Sequence, residues 1–132
     1  MCNNNSIKKY GTQPIDMQWS VIRGDTSSLK IEFFNNDENT YWDTTGWTYI
    51  STSYDPQSDI LDLITVTGYP GYAILTASEE LTAYWGTKYG SVVAELPFDL
   101  QVVIPTDDAP ITWTPILGTI RVLGDVSPGS IL

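Results

Sequence analysis

Apolar and polar residues alternate along two neighbouring stretches near the start of the chain. In residues 27–34 the apolar Leu29, Ile31 and Phe33 alternate with the polar residues 28, 30 and 32. Residues 15–21 follow the same period of two. This period indicates strands that bury one face and expose the other to water. The two stretches therefore predict the first two strands of a sheet.

A four-residue segment, Arg23-Gly24-Asp25-Thr26, separates these two predicted strands. Gly24 can adopt positive φ, and the Asp25 carboxylate can accept hydrogen bonds from turn amides. We therefore expect a tight hairpin turn here. Arg-Gly-Asp is also the tripeptide that integrins bind, but a structural corner is the favoured interpretation. Such tripeptides occur readily in turns, and the chain is expected to be intracellular.

Further apolar segments follow, separated by residues that favour turns. They predict strands at about 47–54, 60–66, 72–75, 91–104 and 111–123. Pro97 lies inside one of the longest segments, which predicts an edge position or a bulge with a kink at that residue. About seven short strands with turn signals between them describe an all-β sandwich.

One short helix is expected within this pattern. Thr76-Ala77-Ser78-Glu79 has the spacing of a capping box, in which a Thr oxygen accepts one free amide and Glu79 reaches back to another. The helix should run from Ala77 to about Trp85 and end at Gly86. The residues expected on its buried stripe are Leu81, Tyr84 and Trp85.

The chain has 132 residues, enough for one domain with a single core. We divide it into a flexible arm at 1–13, a sandwich domain at 14–126 and a tail at 127–132, because the first residues are polar and rich in Asn. Cys2 is the only cysteine, so no internal disulfide is expected, and no apolar run reaches the roughly 20 residues that span a bilayer. We expect a protein that is made in a reducing cytoplasm and has no secretion signal.

The charge and the missing residue types narrow the chemistry. The net charge of −10 disfavours binding to nucleic acid or to anionic membranes. Without histidine there is no Ser-His pair, no imidazole base and no zinc site of the histidine type. Carboxylates at Glu79, Glu80, Glu95, Asp99 and 107–108 could serve glycoside cleavage, but solvation and helix capping explain them better. We expect no enzymatic activity and assign no cofactor. Asp37, Asn39 and Asp43 have the oxygen groups of a calcium site, but a solvated turn is the favoured interpretation and no metal is assigned.

Several short motifs occur in a definite order along the chain. They are Trp19, Arg23-Gly24-Asp25-Thr26, Asp43-Thr44-Thr45-Gly46-Trp47, Leu75-Thr76-Ala77-Ser78-Glu79-Glu80-Leu81-Thr82, Phe98-Asp99-Leu100-Gln101-Val102 and Leu117-Gly118-Thr119-Ile120-Arg121-Val122. Their order resembles a small phage virion domain, the immunoglobulin-like N-terminal module of siphophage baseplate upper proteins and its relatives in tails and neck appendages. Thr45 departs from that family's pattern, which usually has Leu before this glycine.

The resemblance implies an immunoglobulin-like sandwich in a structural virion protein. Such a protein would be present in many copies in a tail, baseplate or neck appendage and would act by protein-protein assembly. Its partners would be other phage structural proteins and copies of itself in an oligomer or symmetric ring. It would be made in the host cytoplasm and end in the virion. Two alternatives stay open, a capsid decoration protein on the head surface and a carbohydrate-binding module for host recognition.

Aromatic residues supply most of the candidate contacts. The sequence places Tyr41, Trp42, Trp47, Tyr49 and Tyr54 close together, where they could fill the core, line a subunit contact or stack on a glycan. We favour core or interface, with Trp47 in the core and Trp42 as an exposed anchor. The interface candidates are Tyr41, Trp42, Tyr54, Lys8, Lys9 and Tyr10, of which the last three belong to the arm that a partner would order.

Overall fold

The computed structural model describes residues 13–34, 39–87 and 93–124, and all structural statements concern these ranges. They contain seven strands and one short helix. In chain order these are β1 (Gln18–Ile22), β2 (Ser27–Glu32), β3 (Thr48–Asp55), β4 (Ile60–Tyr69), β5 (Tyr72–Ala77), α1 (Glu79–Tyr84), β6 (Val93–Ile104) and β7 (Ile111–Leu123).

The strands are hydrogen-bonded in the order β1-β7-β6-β3-β4-β5-β2. β4 belongs to two layers, because Ile60–Ile64 pairs with β3 whereas Thr65–Tyr69 pairs with β5. One layer is therefore β1-β7-β6-β3-β4, and the other is β4-β5-β2. The neighbours β3-β6-β7 and β4-β5-β2 correspond to the C-F-G and D-E-B groups of an immunoglobulin sandwich. The predicted all-β, immunoglobulin-like sandwich is confirmed.

A single apolar core lies between the two layers. Every even-numbered residue of β6 from Ala94 to Ile104 is buried, and the odd-numbered residues face outward. Trp19 and Val21 of β1 and Ile31 of β2 are buried in the same way. The alternation read from the sequence therefore reports the inner face of each layer correctly.

The turn at residues 23–26 joins two layers and is not a hairpin turn, contrary to the sequence prediction. β1 pairs in parallel with β7, and β2 pairs antiparallel with β5. The contact between β1 and β2 includes a side-chain hydrogen bond, which the Trp19 indole Nε1 donates to Ser27 Oγ at 3.0 Å. The prediction was wrong because alternation shows which face of a strand is buried and does not show which strand pairs with it.

β6 is a central strand, so the edge position predicted from Pro97 is wrong. β3 lies on one side of β6 and β7 on the other. The ladder between β3 and β6 ends at the pair Ser53–Phe98, and Pro97 is the residue before Phe98, just outside this ladder. The proline is tolerated because the ladder with β3 has already ended there.

The bulge lies elsewhere and involves a different proline. Leu100 pairs with Ile116 and Val102 pairs with Trp113, so β7 has one more residue than β6 between these pairs. Pro115 occupies this bulge in β7, a position where a strand accommodates proline.

Helix α1 begins two residues later than its predicted start. Its N-cap is Ser78, whose Oγ accepts a hydrogen bond from Leu81 N at 3.2 Å, so the predicted Thr76 cap is wrong. The shift follows from β5, which continues to Ala77. Gly86 has φ of 70° and follows the C-cap Trp85, as predicted.

The buried stripe of this region also differs from the prediction. Thr82 and Trp85 are fully buried, whereas Tyr84 is 46% exposed and Leu81 is half-buried. Thr82 is buried on the helix where Tyr84 was predicted to be. Its burial is possible because its hydroxyl forms hydrogen bonds within the protein, which are described below.

The predicted arm at 1–13, apart from Gln13, and the predicted tail at 127–132 lie outside the described residues, so the domain division stays a prediction. Most of the loop expected at 35–39 also lies outside them. No helix in the described ranges has the length and apolar character needed to cross a membrane.

Candidate functional site

An aromatic cluster closes one end of the sandwich. The ring centroid of Phe33 lies 5.2 Å from that of Trp47 and 6.3 Å from those of Trp42 and Trp113. Trp42 and Trp113 stack at 5.9 Å. Trp42 and Trp47 are both half-buried and pack against the core. The prediction of Trp42 as an exposed anchor is therefore wrong, and Trp47 lies at the margin of the core.

An open cavity of about 320 Å³ lies beside this cluster. It is formed by the connection before β3, the first residues of β3, and the end of β4 with its following turn. Its lining residues are Trp42, Asp43, Thr44, Thr45, Gly46, Trp47, Tyr49, Gly68, Tyr69 and Pro70. Gly68 is required by close packing, because an added Cβ would lie 2.8 Å from Cε2 of Tyr49. The glycine lets the Tyr49 ring lie directly on the backbone of β4.

The polar groups of the cavity are held by local hydrogen bonds. Asp43 Oδ1 accepts bonds from Thr45 Oγ1 at 2.6 Å and from Thr45 N at 3.1 Å. These bonds, the side-chain bond first, hold the pKa of Asp43 below its ordinary value. Thr44 Oγ1 donates to Tyr69 O and accepts from Gly71 N. Both threonine hydroxyls are thus engaged within the protein.

Tyr41 belongs to a separate group of aromatic rings on the outer face of the β4-β5-β2 layer. It stacks on Phe34 at 4.8 Å and lies 6.0 Å from Tyr72. Its hydroxyl donates a 2.6 Å hydrogen bond to Glu32 Oε2. This bond is the main reason that the pKa of Glu32 is lowered and that of Tyr41 is raised. Gly71 lies directly beneath Tyr41.

The outer face of the larger layer carries four large apolar side chains that solvent reaches. Leu63 is 75% exposed, Leu61 69%, Leu117 55% and Ile50 50%. We call this group the outer apolar patch. Thr52 pairs with Leu63 on β4 and with Asp99 on β6, and Asp99 in turn pairs with Leu117 on β7. The four side chains therefore come from β3, β4 and β7, and β6, which lies between β3 and β7, contributes Asp99 to the same face.

The predicted interface residue Tyr54 lies at this patch. It pairs with Leu61 on β4, and both line a shallow groove of about 160 Å³. The other groove residues are Thr52, Ser53, Pro97, Phe98, Asp99 and Leu117. Tyr41, Trp42 and Tyr54 were grouped by sequence, but the fold separates Tyr54 from the other two. The remaining candidates, Lys8, Lys9 and Tyr10, lie outside the described residues.

Sequence reasoning missed the leucines of the patch. Residues 60–64 contain apolar side chains at consecutive positions, Ile60 and Leu61, followed by Leu63 and Ile64. Such a run without alternation is typical of a strand that is apolar on both faces. That pattern was the available signal for an apolar outer face.

The Arg-Gly-Asp segment packs against α1. Arg23 Nε donates to Trp85 O at 3.0 Å, and its Nη2 donates to Gly86 O at 3.3 Å. Thr82 Oγ1 accepts from Gly24 N at 3.0 Å and donates to Asp25 O at 2.8 Å. The guanidinium therefore binds the carbonyl end of the helix, which supports the structural corner.

Two aspartates that the sequence did not single out also fix this corner. The buried Asp55 accepts from Gly86 N through Oδ2 at 3.1 Å. Asp62 accepts from Tyr84 OH at 3.0 Å and from the Trp85 indole at 3.3 Å. Both carboxylates join the sheet to the helix and thus have a structural role.

The carboxylates that the sequence offered for catalysis are spread over separate elements. Glu79 and Glu80 lie in the first turn of α1, and Asp99 Oδ1 accepts from Thr52 N on the neighbouring strand. Within the ranges that the structure describes, no group of three or more His, Cys, Asp or Glu side chains could hold a metal ion.

Comparison of the chain with protein-family models and with curated proteins finds no match.

Proposed function

We propose that this protein is a structural subunit of a tailed-phage particle that acts by protein-protein assembly and not by catalysis. The outer apolar patch is the observation that carries the assembly role. Several large apolar side chains exposed on one face of a small domain mark an interaction site, and Leu61 and Leu117 line a common groove on this face. The resemblance of the ordered motifs supports the phage setting, with tail, baseplate or neck appendage preferred.

We propose that the patch binds a neighbouring copy of the same chain. The four patch side chains are neutral, and Asp99 is the one charged residue lining the groove within the described part of the chain. Two copies that each carry a net charge of −10 repel one another over most of their surfaces. An apolar face with few charges lets the copies approach while most acidic side chains stay in water.

Analytical ultracentrifugation of the purified chain tests the assembly surface. The wild type should form oligomers with rising concentration, and Leu63→Thr should shift the equilibrium toward monomer. Ile74→Thr is the matched control, because Ile74 is half-buried on β5 in the other layer. Equal self-association of all three proteins, with unchanged circular dichroism, would refute the patch as the contact.

Immunogold electron microscopy of particles from the source lysate tests the setting. Gold at the tail tip or neck would support the appendage role. Gold over the head would instead favour the decoration alternative. Particles without gold, from a lysate in which the antibody detects the denatured protein, would count against an exposed virion component.

A further inference from the structure

The cavity beside Trp42 and Trp47 is separate from the proposed assembly surface. Its lining contains none of the four residues of the outer apolar patch. Its volume of about 320 Å³ lies at the lower end of the range for small-molecule sites, roughly 300–1,000 Å³. The cavity therefore has room for a compact ligand and is not needed for assembly.

Four of the ten described residues that line this cavity are aromatic. The planes of Trp42 and Trp47 meet at 79°, with ring centroids 6.1 Å apart, so the two indoles present surfaces in different directions. Tyr49 and Tyr69 also line the cavity, and the Tyr69 ring stacks on Tyr72 at 4.9 Å. Aromatic faces carry partial negative charge and attract cations, and indole does so most strongly.

The negative charge at the cavity also favours a cationic ligand. Asp43 is the one charged side chain among the lining residues of the described chain, and its hydrogen bonds with Thr45 favour the ionised form. The net charge of −10 adds a field that attracts cations.

The two threonine hydroxyls of the cavity donate their hydrogens within the protein and offer no free donor to a sugar. A sugar needs several polar groups that can bond its hydroxyls, and here the hydroxyls of Thr44 and Thr45 already bond within the protein. A methylated ammonium ion needs no such donors. It requires aromatic faces for its methyl groups and a negative charge nearby.

We propose that this cavity binds an organic cation of the quaternary ammonium class, with the trimethylammonium group against Trp42 and Trp47 and its charge facing Asp43. The site would recognise such a group on a free small molecule or on a choline headgroup. This activity does not depend on the proposed virion role.

Titration of the full chain with choline chloride tests the site, followed by ¹H–¹⁵N spectra of its five indole groups. Sodium chloride at equal ionic strength is the salt control. The neutral isostere 3,3-dimethylbutanol separates charge from shape. Saturable shifts of the Trp42 and Trp47 indole signals with choline, and much weaker shifts with the alcohol, are the expected result. Equal responses to both compounds, no response, or saturable shifts with neutral hexoses instead would overturn the proposal.

Two variants make the assignment specific. Asp43→Asn keeps an oxygen that can accept the Thr45 bonds but removes the charge, and it should raise the Kd for choline about three- to tenfold. Tyr54→Phe is the control, because Tyr54 lies at the outer apolar patch. Equal choline affinity of Asp43→Asn and wild type, with both folded by circular dichroism, would refute the role of the carboxylate.

Co-sedimentation with phosphatidylcholine vesicles identifies the source of the group. Vesicle binding that Asp43→Asn weakens would support a lipid headgroup as ligand. Choline binding without vesicle binding would support a soluble or polymer-attached cation.

Discussion

Replacement of Thr82 by valine tests the buried contact that joins the turn at residues 23–26 to helix α1. Thr82 is fully buried, and its hydroxyl both accepts from Gly24 N and donates to Asp25 O. Valine has almost the same shape, so the change removes the hydroxyl without leaving a large cavity. The backbone groups of Gly24 and Asp25 then lose their side-chain partner.

The magnitude follows from these two bonds. Leaving one buried polar group without a partner costs about 1–3 kcal/mol. Gly24 and Asp25 are exposed residues, so water can partly replace the lost partner. We therefore expect Thr82→Val to lower the free energy of unfolding by about 1–3 kcal/mol in total, which corresponds to roughly 4 °C in Tm for each kcal/mol in a chain of this size.

Urea unfolding followed by tryptophan fluorescence measures this change. Thr76→Val is the matched control, because Thr76 is half-buried and its hydroxyl lies 3.4 Å from Ser28 Oγ, at the limit of a hydrogen bond. The control should stay within about 0.5 kcal/mol of wild type. Hydrogen exchange of the Gly24 amide should become faster in Thr82→Val alone. If the two variants have equal stability, Thr82 does not hold the turn.

The remaining predictions concern a glycine and two titrating groups. Gly24→Ala should lower the free energy of unfolding by about 1–2 kcal/mol, and Gly71→Ala should lower it further. Both glycines have positive φ, but only at Gly71 would an added Cβ overlap Tyr41. Equal urea midpoints of the two variants would contradict this. The Tyr41 hydrogen bond holds the pKa of Glu32 below its ordinary 4.5, so its stabilising effect is present above pH 4.5 and is lost as the pH falls through the lowered pKa. Tyr41→Phe should therefore make the free energy of unfolding less sensitive to acid. If the free energy of unfolding of this variant falls below pH 4.5 as steeply as that of the wild type, the coupling is refuted. Burial raises the pKa of Tyr49 above its ordinary 10.0, so its contribution is present below pH 10 and is lost as the pH rises through the raised pKa; ultraviolet titration of Tyr49→Phe should lack one late-ionising phenol.

Two prolines, Pro97 in β6 and Pro115 in β7, show what a pattern can and cannot predict. A proline inside a strand indicates an irregularity, and β6-β7 does contain one. The sequence pointed to Pro97, but the bulge lies at Pro115. Which proline disturbs the ladder depends on where the neighbouring strand ends, and a single strand carries no information about that.

The candidate site was predictable in its residue types but not in its grouping. The sequence singled out Tyr41, Trp42, Trp47, Tyr49 and Tyr54 as one cluster. The fold divides them among a half-buried cavity, an outer aromatic group and the outer apolar patch. Neighbours along a strand point to opposite faces, so closeness in sequence does not make a common surface.

The sequence by itself determined the all-β class, the number of strands and most of the buried positions. Residues such as Ile31 and Leu96 are buried because local alternation and turn residues specify the inner face of each strand. Only the tertiary structure decided that β1 pairs with β7, that β4 belongs to both layers and that Leu61 and Leu63 remain exposed. Strand pairing depends on contacts between residues far apart in the chain, and these contacts are specified only when the whole core packs.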